Sequence, residues 1–304
     1  MPVVVNTNAT ATTASFNLTA ANDALRKSLS KLSSGKRIVS PADDAGGLAV
    51  AYKMSAKLKR TSAVMQNVQN SISFLQVQDG ALRSMGNIVD RMGELRMYAE
   101  DVTKNSSDIE NYSKEFLELQ KQLQQIATEQ FNGISLFSND STASGSGSRT
   151  KSLALITTAS GVSTDGNVSI NQGNLSTILS VGSGINLGNI TGNNNATALS
   201  TANVDSDGFI TDIKAVNVSM FTTAIANIAD ARAENGAEMS RVQVVADLLG
   251  SKLANLEAAH GRIMDADIAL ESTRYARQNI LVQASAAMTA QANQLTNIAM
   301  VLMS

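Results

Sequence analysis

Towards its carboxyl end the chain reads FTTAIANIADARAENGAEMSRVQVVADLLGSKLANLEAAH (Phe221–His260) and continues as GRIMDADIALESTRYARQNILVQASAAMTAQANQLTNIAMVL (Gly261–Leu302). Mostly apolar residues recur here at alternating gaps of four and three, and one frame holds from the first phenylalanine to the last leucine. A period of about 3.5 residues is typical of a helix that buries one narrow seam against another helix. No proline interrupts the stretch, so we predict long helices that bend or break at Gly250 or Gly261.

A matching seam lies near the other end of the chain, where the same spacing begins at Leu18. The two seams can pair within one chain, or they can also pair between chains, because short helical seams alone are marginally stable. We therefore predict a self-assembly seam on both ends, formed by Leu18, Leu25, Leu29, Leu32, Leu281, Met288, Leu295, Ile298 and Leu302. Residues 1–15 are rich in Thr, Ala and Asn and are expected to be disordered in isolation.

The segment between residues 33 and 133 is predicted to form further helices joined by short turns. Ser33–Gly35 ends the first helix, and Pro41 with the acids beside it marks the next helix start. A long heptad frame then runs to about Glu100, and another runs from Ile109 to Ile126. Phe131–Gly133 is expected to form a tight turn.

The composition changes abruptly near Asn139. From Ser141 to Val204 the charged residues are Arg149, Lys151 and Asp165, while Gly, Ser, Thr and Asn dominate. Short alternating runs divided by glycines indicate strands and turns, and the alternative is a disordered loop. We expect a mainly α fold: a long coiled-coil helical bundle built from both chain ends, with a small β-rich inserted outer domain.

This pattern predicts five segments along the chain. They are a first coiled-coil segment, a long helical hairpin, a variable surface-exposed insertion, a bundle helix and a second coiled-coil segment. The corresponding residues are 1–40, 41–138, 139–218, 219–264 and 265–304.

The composition excludes several functional classes. A net charge of −2 indicates neither nucleic acid nor acidic lipid as a partner. The absence of cysteine excludes disulfides and thiolate catalysis. The single histidine, His260, lies on the helical seam and is interpreted as a packing residue. No apolar run is long enough to span a membrane, and the chain start shows no secretory signal.

The acidic pairs Asp43–Asp44 and Asp265–Asp267 are the best candidates for a metal site, but they offer too few oxygen ligands at fixed spacing for a calcium loop. Helix capping or salt bridging is the simpler interpretation. We predict no catalytic residues, no metal and no cofactor, and hence that the protein is not an enzyme.

Several motifs resemble those of bacterial flagellins. Leu29–Ile38 followed by Pro41–Val50 is similar to the N-terminal signature of that family, and Phe131–Gly133 resembles the turn that ends its N-terminal hairpin. Arg262–Asp267 resembles the family's Arg-Ile-x-Asp-Ala-Asp motif, and Gln291–Gln294 matches its terminal helix. The similarity covers roughly residues 15–138 and 221–304 and leaves the middle of the chain unmatched.

The resemblance implies a structural subunit that polymerises into the extracellular flagellar filament for swimming motility. In flagellins the two chain ends pair as coiled coils in the filament core, and the central insertion projects outward. The implied partners are further copies of the chain, the type III flagellar export apparatus, a flagellin chaperone, and the filament cap and junction proteins. The alternative is an adaptor protein of the hook–filament junction.

The resemblance also implies a surface for a host innate immune receptor. Many flagellins present an arginine, a leucine and an acid to such a receptor from the helical hairpin. Arg91 and Leu95 match the first two, and Glu115 is the candidate acid. Gly93 stands where the family usually has a second arginine.

Overall fold

The computed structural model describes residues 8–138, 149–161, 166–180, 186–187, 203–205 and 207–303, without the side chains of 149–151, 176–177 and 295–303. The chain divides into two compact units. The first combines residues 1–59 with 253–304, and the second consists of residues 60–252. The five-segment division stays a prediction.

The first unit is built on two helices from opposite ends of the chain, α1 (Ala9–Ser34) and α6 (Ile268–Met303), which pack along each other. Asn8 caps α1, since its side chain accepts a hydrogen bond from the Ala11 N–H at 3.0 Å and donates one to the Ala292 carbonyl at 2.9 Å. Residues 9–15 are therefore helical in the folded chain, because capping and packing supply what the isolated segment lacks. Residues 1–7 lie outside the described part.

The long helices are α2 (Ala45–Ala99) and α5 (Val218–Met264). Helix α5 continues through both Gly250 and Gly261, so the predicted break at a glycine is displaced to Asp265–Asp267. Gly261 nevertheless contributes to it, since a Cβ there would lie 2.8 Å from Oδ2 of Asp265. Asp267 then starts α6, because its side chain accepts a hydrogen bond from the Leu270 N–H at 3.1 Å.

In the second unit α2 runs antiparallel to α5, and later positions of one contact earlier positions of the other. A Cβ at Gly93 would lie 3.6 Å from Cβ of Phe221, whereas one at Gly250 would lie 3.5 Å from the Met65 side chain. Helix α3 (Ser106–Ala127) begins with a capping box formed by Asn105 and Asp108. The apolar residues of the shared core include Val68, Leu75, Leu82, Val89, Phe116, Leu123, Ile228, Val242 and Leu249.

The strands also belong to the second unit. β1 (Gln130–Phe131) and β2 (Ile134–Ser135) form the predicted tight turn, in which Asn132 and Gly133 adopt φ values of 51° and 79°. A three-stranded sheet has the order β3-β5-β4, with β3 at Phe137–Ser138, β4 at Arg149–Ile156 and β5 at Asn167–Asn174. The short helix α4 (Leu175–Ile178) follows. The predicted class, mainly α with a β-rich insertion, is confirmed.

Buried polar side chains hold the two ends of the insertion against the helices. Gln120, which is fully buried, donates to the Ile210 carbonyl at 2.8 Å and accepts from the Ile210 N–H at 3.0 Å. Gln78 donates to the Leu136 carbonyl at 2.9 Å, and Arg96 donates to the Val216 carbonyl at 2.7 Å. These bonds give hydrogen-bond partners to backbone groups on both sides of the insertion.

Candidate assembly surfaces

The inner face of the α1–α6 pair combines leucines of α1 with small and polar side chains. Ala21 and Ser28 of α1 are buried, as are Glu271 and Ala292 of α6. Half-buried residues continue the same two stripes, at Leu18, Leu25 and Leu32 of α1 and at Tyr275, Gln278, Val282, Ser285 and Thr289 of α6. These stripes keep heptad spacing, so the helices pair as a coiled coil.

Other large apolar side chains lie on the outer faces of the same helices. Leu29 is 53% exposed, Leu281 45% and Met288 64%. Further exposed apolar side chains on this pair are Phe16, Ile268, Leu270 and Ile280. Exposed apolar side chains in this number make the outer faces a candidate interaction site, because water solvates them poorly.

The structure therefore divides the predicted seam. Leu18, Leu25 and Leu32 lie against the partner helix of the same chain, whereas Leu29, Leu281 and Met288 face away from it. The side chains of Leu295, Ile298 and Leu302 lie outside the described residues. On α6 the inner stripe passes through Val282, one residue away from the frame read in the sequence.

A junction joins the end of α1 to the end of α5. Gly35 adopts φ 67° and ends α1, and its carbonyl accepts a hydrogen bond from the Ala266 N–H at 2.9 Å. The Arg37 guanidinium donates to the Ile263 carbonyl at 3.0 and 2.9 Å, capping the last turn of α5. Ile38, 2% exposed, packs with Met264 and Ala51 beneath these bonds.

The carboxylates of this junction are structural. Asp43 pairs with Lys27 at 2.5 Å, and that hydrogen bond, with one from the Val39 N–H, lowers the pKa of Asp43 to about 2. Asp44 accepts from the Gly47 N–H at 2.7 Å and so caps α2. Gly47 leaves room for this cap, since a Cβ there would lie 2.3 Å from Oδ2 of Asp44.

The residues predicted for an immune receptor separate into a surface pair and a core residue. Arg91 binds Glu115 at 2.8 Å and Glu94 at 2.9 Å, and both contacts raise the pKa of Arg91. Leu95 is fully buried, because α3 and α5 both pack on this part of α2. In the folded chain only Arg91 and Glu115 of the three are accessible.

Other kinds of site find no support in the part of the chain that the structure describes. His260 is half-buried on α5. Among the described residues no three His, Cys, Asp or Glu side chains converge as metal ligands. Nor does any helix in those ranges combine the length and apolarity needed to cross a bilayer.

Known proteins match both helical parts of the chain. The bacterial flagellin N-terminal helical region matches residues 5–142, and the bacterial flagellin C-terminal helical region matches residues 218–302. Flagellin from Listeria monocytogenes is 32% identical over 296 residues, which cover 95% of this chain and 96% of that protein. The chain belongs to the bacterial flagellin family. Flagellin FlaB2 from Treponema pallidum is 31% identical, with 97% of each chain covered.

Membership of this family confirms the prediction of a structural subunit of the extracellular flagellar filament. Flagellins are structural proteins, so the chain belongs to a family of structural proteins. A putative flagellar hook-associated protein from Vibrio parahaemolyticus has a similar structure, with a TM-score of 0.55 over 73% of this chain and all of that one. At 16% identity this likeness concerns the fold alone.

The family motifs now have physical roles in this flagellin. Arg37 and Ile38 of the N-terminal signature contact the C-terminal motif at Ile263 and Met264. Both motifs are visible in the sequence, but the sequence did not predict that they form one junction. The signal that could have shown it is their equal position, since each lies at the inner end of a terminal coiled-coil segment.

Proposed function

We propose that this flagellin polymerises through its paired terminal helices, using the seam of Leu18, Leu25, Leu29, Leu32, Leu281, Met288, Leu295, Ile298 and Leu302. Leu18, Leu25 and Leu32 hold the pair together, whereas Leu29, Leu281 and Met288 on its outer faces contact other copies. The observation that carries the proposal is the exposure of Leu29, Leu281 and Met288 on the outer faces of these helices. Contact with other copies would bury this apolar surface at about 25 cal/mol per Å². The exposed apolar surface is therefore present before assembly, and the free energy of burying it is gained only in the polymer.

The proposed roles of the parts of the chain follow the five predicted segments. Residues 1–40 and 265–304 form the filament core, 41–138 and 219–264 form the helical body, and 139–218 are exposed at the surface. The chain acts by assembly and has no catalytic role. This organisation is supported by the family match, which leaves residues 143–217 unmatched.

Electron microscopy of the purified chain induced to polymerise tests the proposal. We expect filaments from the full chain and none from a chain lacking residues 1–40 and 265–304, because the second lacks the apolar outer faces. Filaments from both would overturn the assignment of the assembly surface. A stable monomer in both cases would favour the alternative, an adaptor of the hook–filament junction.

Further partners are proposed from the family. Export through the flagellar apparatus requires recognition of the unassembled chain, and the exposed apolar face of α6 is the surface that a chaperone would cover before export. The filament cap and the junction proteins would contact the same ends of the chain in place of another copy.

A host innate immune receptor is the proposed partner of Arg91 and Glu115, with Leu95 supporting them from the core. We expect Arg91→Ala to weaken receptor binding at least about tenfold, as truncation of a central interface arginine commonly does. The fold should persist, because exposed ion pairs contribute little to stability. Lys114→Ala, which removes a more exposed ion pair with Glu110, is the control. Unchanged affinity of the Arg91→Ala variant would exclude this surface.

A further inference from the structure

One turn of α5 combines two features that weaken a helix. Gly236 lies in the helix interior, exposed, and nothing would contact a Cβ placed there. A glycine at such a position leaves the unfolded chain more freedom and destabilises the helix relative to alanine. The adjacent Asn235 is only 1% exposed, which is unusual for a polar side chain in a helical seam.

Asn235 is only half satisfied in this position. Its Nδ2 donates to the Leu75 carbonyl at 3.0 Å, whereas its buried Oδ1 has no hydrogen-bond partner within the described ranges. A buried acceptor without a partner is costly, because it has lost water and gained nothing. The turn around Asn235–Gly236 thus combines a buried acceptor that no described residue satisfies with a glycine that weakens the helix.

The next turn of α5 is hydrogen-bonded to strand β5 of the insertion. The Glu238 carboxylate, 8% exposed, accepts hydrogen bonds from the Asn171 N–H at 3.2 Å and the Asn171 side-chain amide at 2.8 Å. The Arg241 guanidinium donates to the Ser169 carbonyl. Hydrogen bonds to charged groups are the strongest class in proteins. Strand β5 is therefore bound firmly to the turn of α5 that follows Asn235–Gly236.

We propose that α5 opens locally at Asn235–Gly236 and that docking of β5 on Glu238 sets how often it opens. Local opening takes place where few contacts oppose it, and here those contacts come from Leu75 and Asp79 of α2 and from strand β5 of the insertion. Events on the sheet, such as binding of a partner, therefore bias the helix beneath it. The device is independent of polymerisation and operates in the single chain.

Amide hydrogen exchange of the full chain as a monomer measures this opening. Glu238→Gln keeps the shape of the side chain but loses one acceptor and the charge, so exchange across residues 233–240 is expected to accelerate about tenfold. Gly236→Ala is expected to slow exchange in the same residues about fivefold. Gly80→Ala is the matched control, since Gly80 is an exposed glycine inside α2 with the same empty surroundings.

The combination of variants separates the proposal from a general change in stability. Gly236→Ala in the Glu238→Gln chain should restore slow exchange in α5 while β5 stays fast. Acceleration confined to β5, or an equal effect of Gly80→Ala on residues 233–240, would overturn the proposal. If Glu238→Gln does not fold, Asn171→Ala removes the shorter hydrogen bond from the strand side, and unchanged exchange in α5 then also overturns it.

Discussion

The double variant Leu281→Glu/Met288→Glu is expected to raise the critical concentration for filament formation at least about a hundredfold. Both side chains are about half exposed in the single chain, and completing the burial of each contributes about 1–1.5 kcal/mol. Their loss thus costs about 2–3 kcal/mol per subunit, where 1.4 kcal/mol is tenfold. Burying two carboxylates instead adds a desolvation penalty. Pelleting of polymer across a concentration series measures the effect.

The folding of the monomer should be unaffected, because neither side chain lies on the inner stripe of α6. Circular dichroism and denaturant unfolding of the unassembled variant check this expectation. The matched control is Gln283→Glu/Gln294→Glu, which adds the same charge to exposed polar positions of the same helix. Equal polymerisation of variant and wild type, or an equal defect in the control, would place the assembly contact elsewhere.

The helices were predictable from the sequence because their signals are redundant. Heptad spacing, caps and glycine stops agree at Gly35, Asn105 and the Asn132–Gly133 turn, and each appears in the structure with the expected geometry. The fold class depends on many such local preferences acting together, so no single residue decides it.

The faces of the helices were less predictable. On α6 two adjacent frames are both compatible with a seam, one through Leu281 and Met288 and one through Val282 and Ser285. Hydrophobicity favours the first, but the helices of one chain pack through the second, because small side chains permit close approach. A sequence pattern indicates that a face will be buried without indicating which chain buries it.

A candidate site could be predicted from the sequence only where the contacts of its residues come from neighbouring parts of the chain. Arg91 and Glu115 meet across the α2–α3 hairpin as their spacing allows, but the burial of Leu95 depends on packing by α3 and α5. The junction of Arg37 with Ile263 joins residues 226 positions apart. Nothing local to either motif encodes that contact.

Gln120 shows the same limit and provides the test with the largest expected effect on stability. It lies on the buried face of α3 with Phe116 and Leu123, a position where a polar residue signals a specific partner. That partner is the backbone of Ile210, whose N–H and carbonyl both bond to the Gln120 amide. The sequence could indicate that a partner exists, but not that it lies in the insertion, 90 positions along the chain.

Gln120→Leu is expected to lower the free energy of unfolding of the monomer by about 2–5 kcal/mol. Leucine fills similar space but leaves two buried backbone groups of Ile210 unpaired, and each unpaired group costs about 1–3 kcal/mol. Gln122→Leu makes the same change at an exposed position of the same helix and should stay within about 0.5 kcal/mol of wild type. Denaturant unfolding measures both. Exchange of the Ile210 amide should accelerate in Gln120→Leu alone, and a variant as stable as its control would show that the insertion does not depend on this bond.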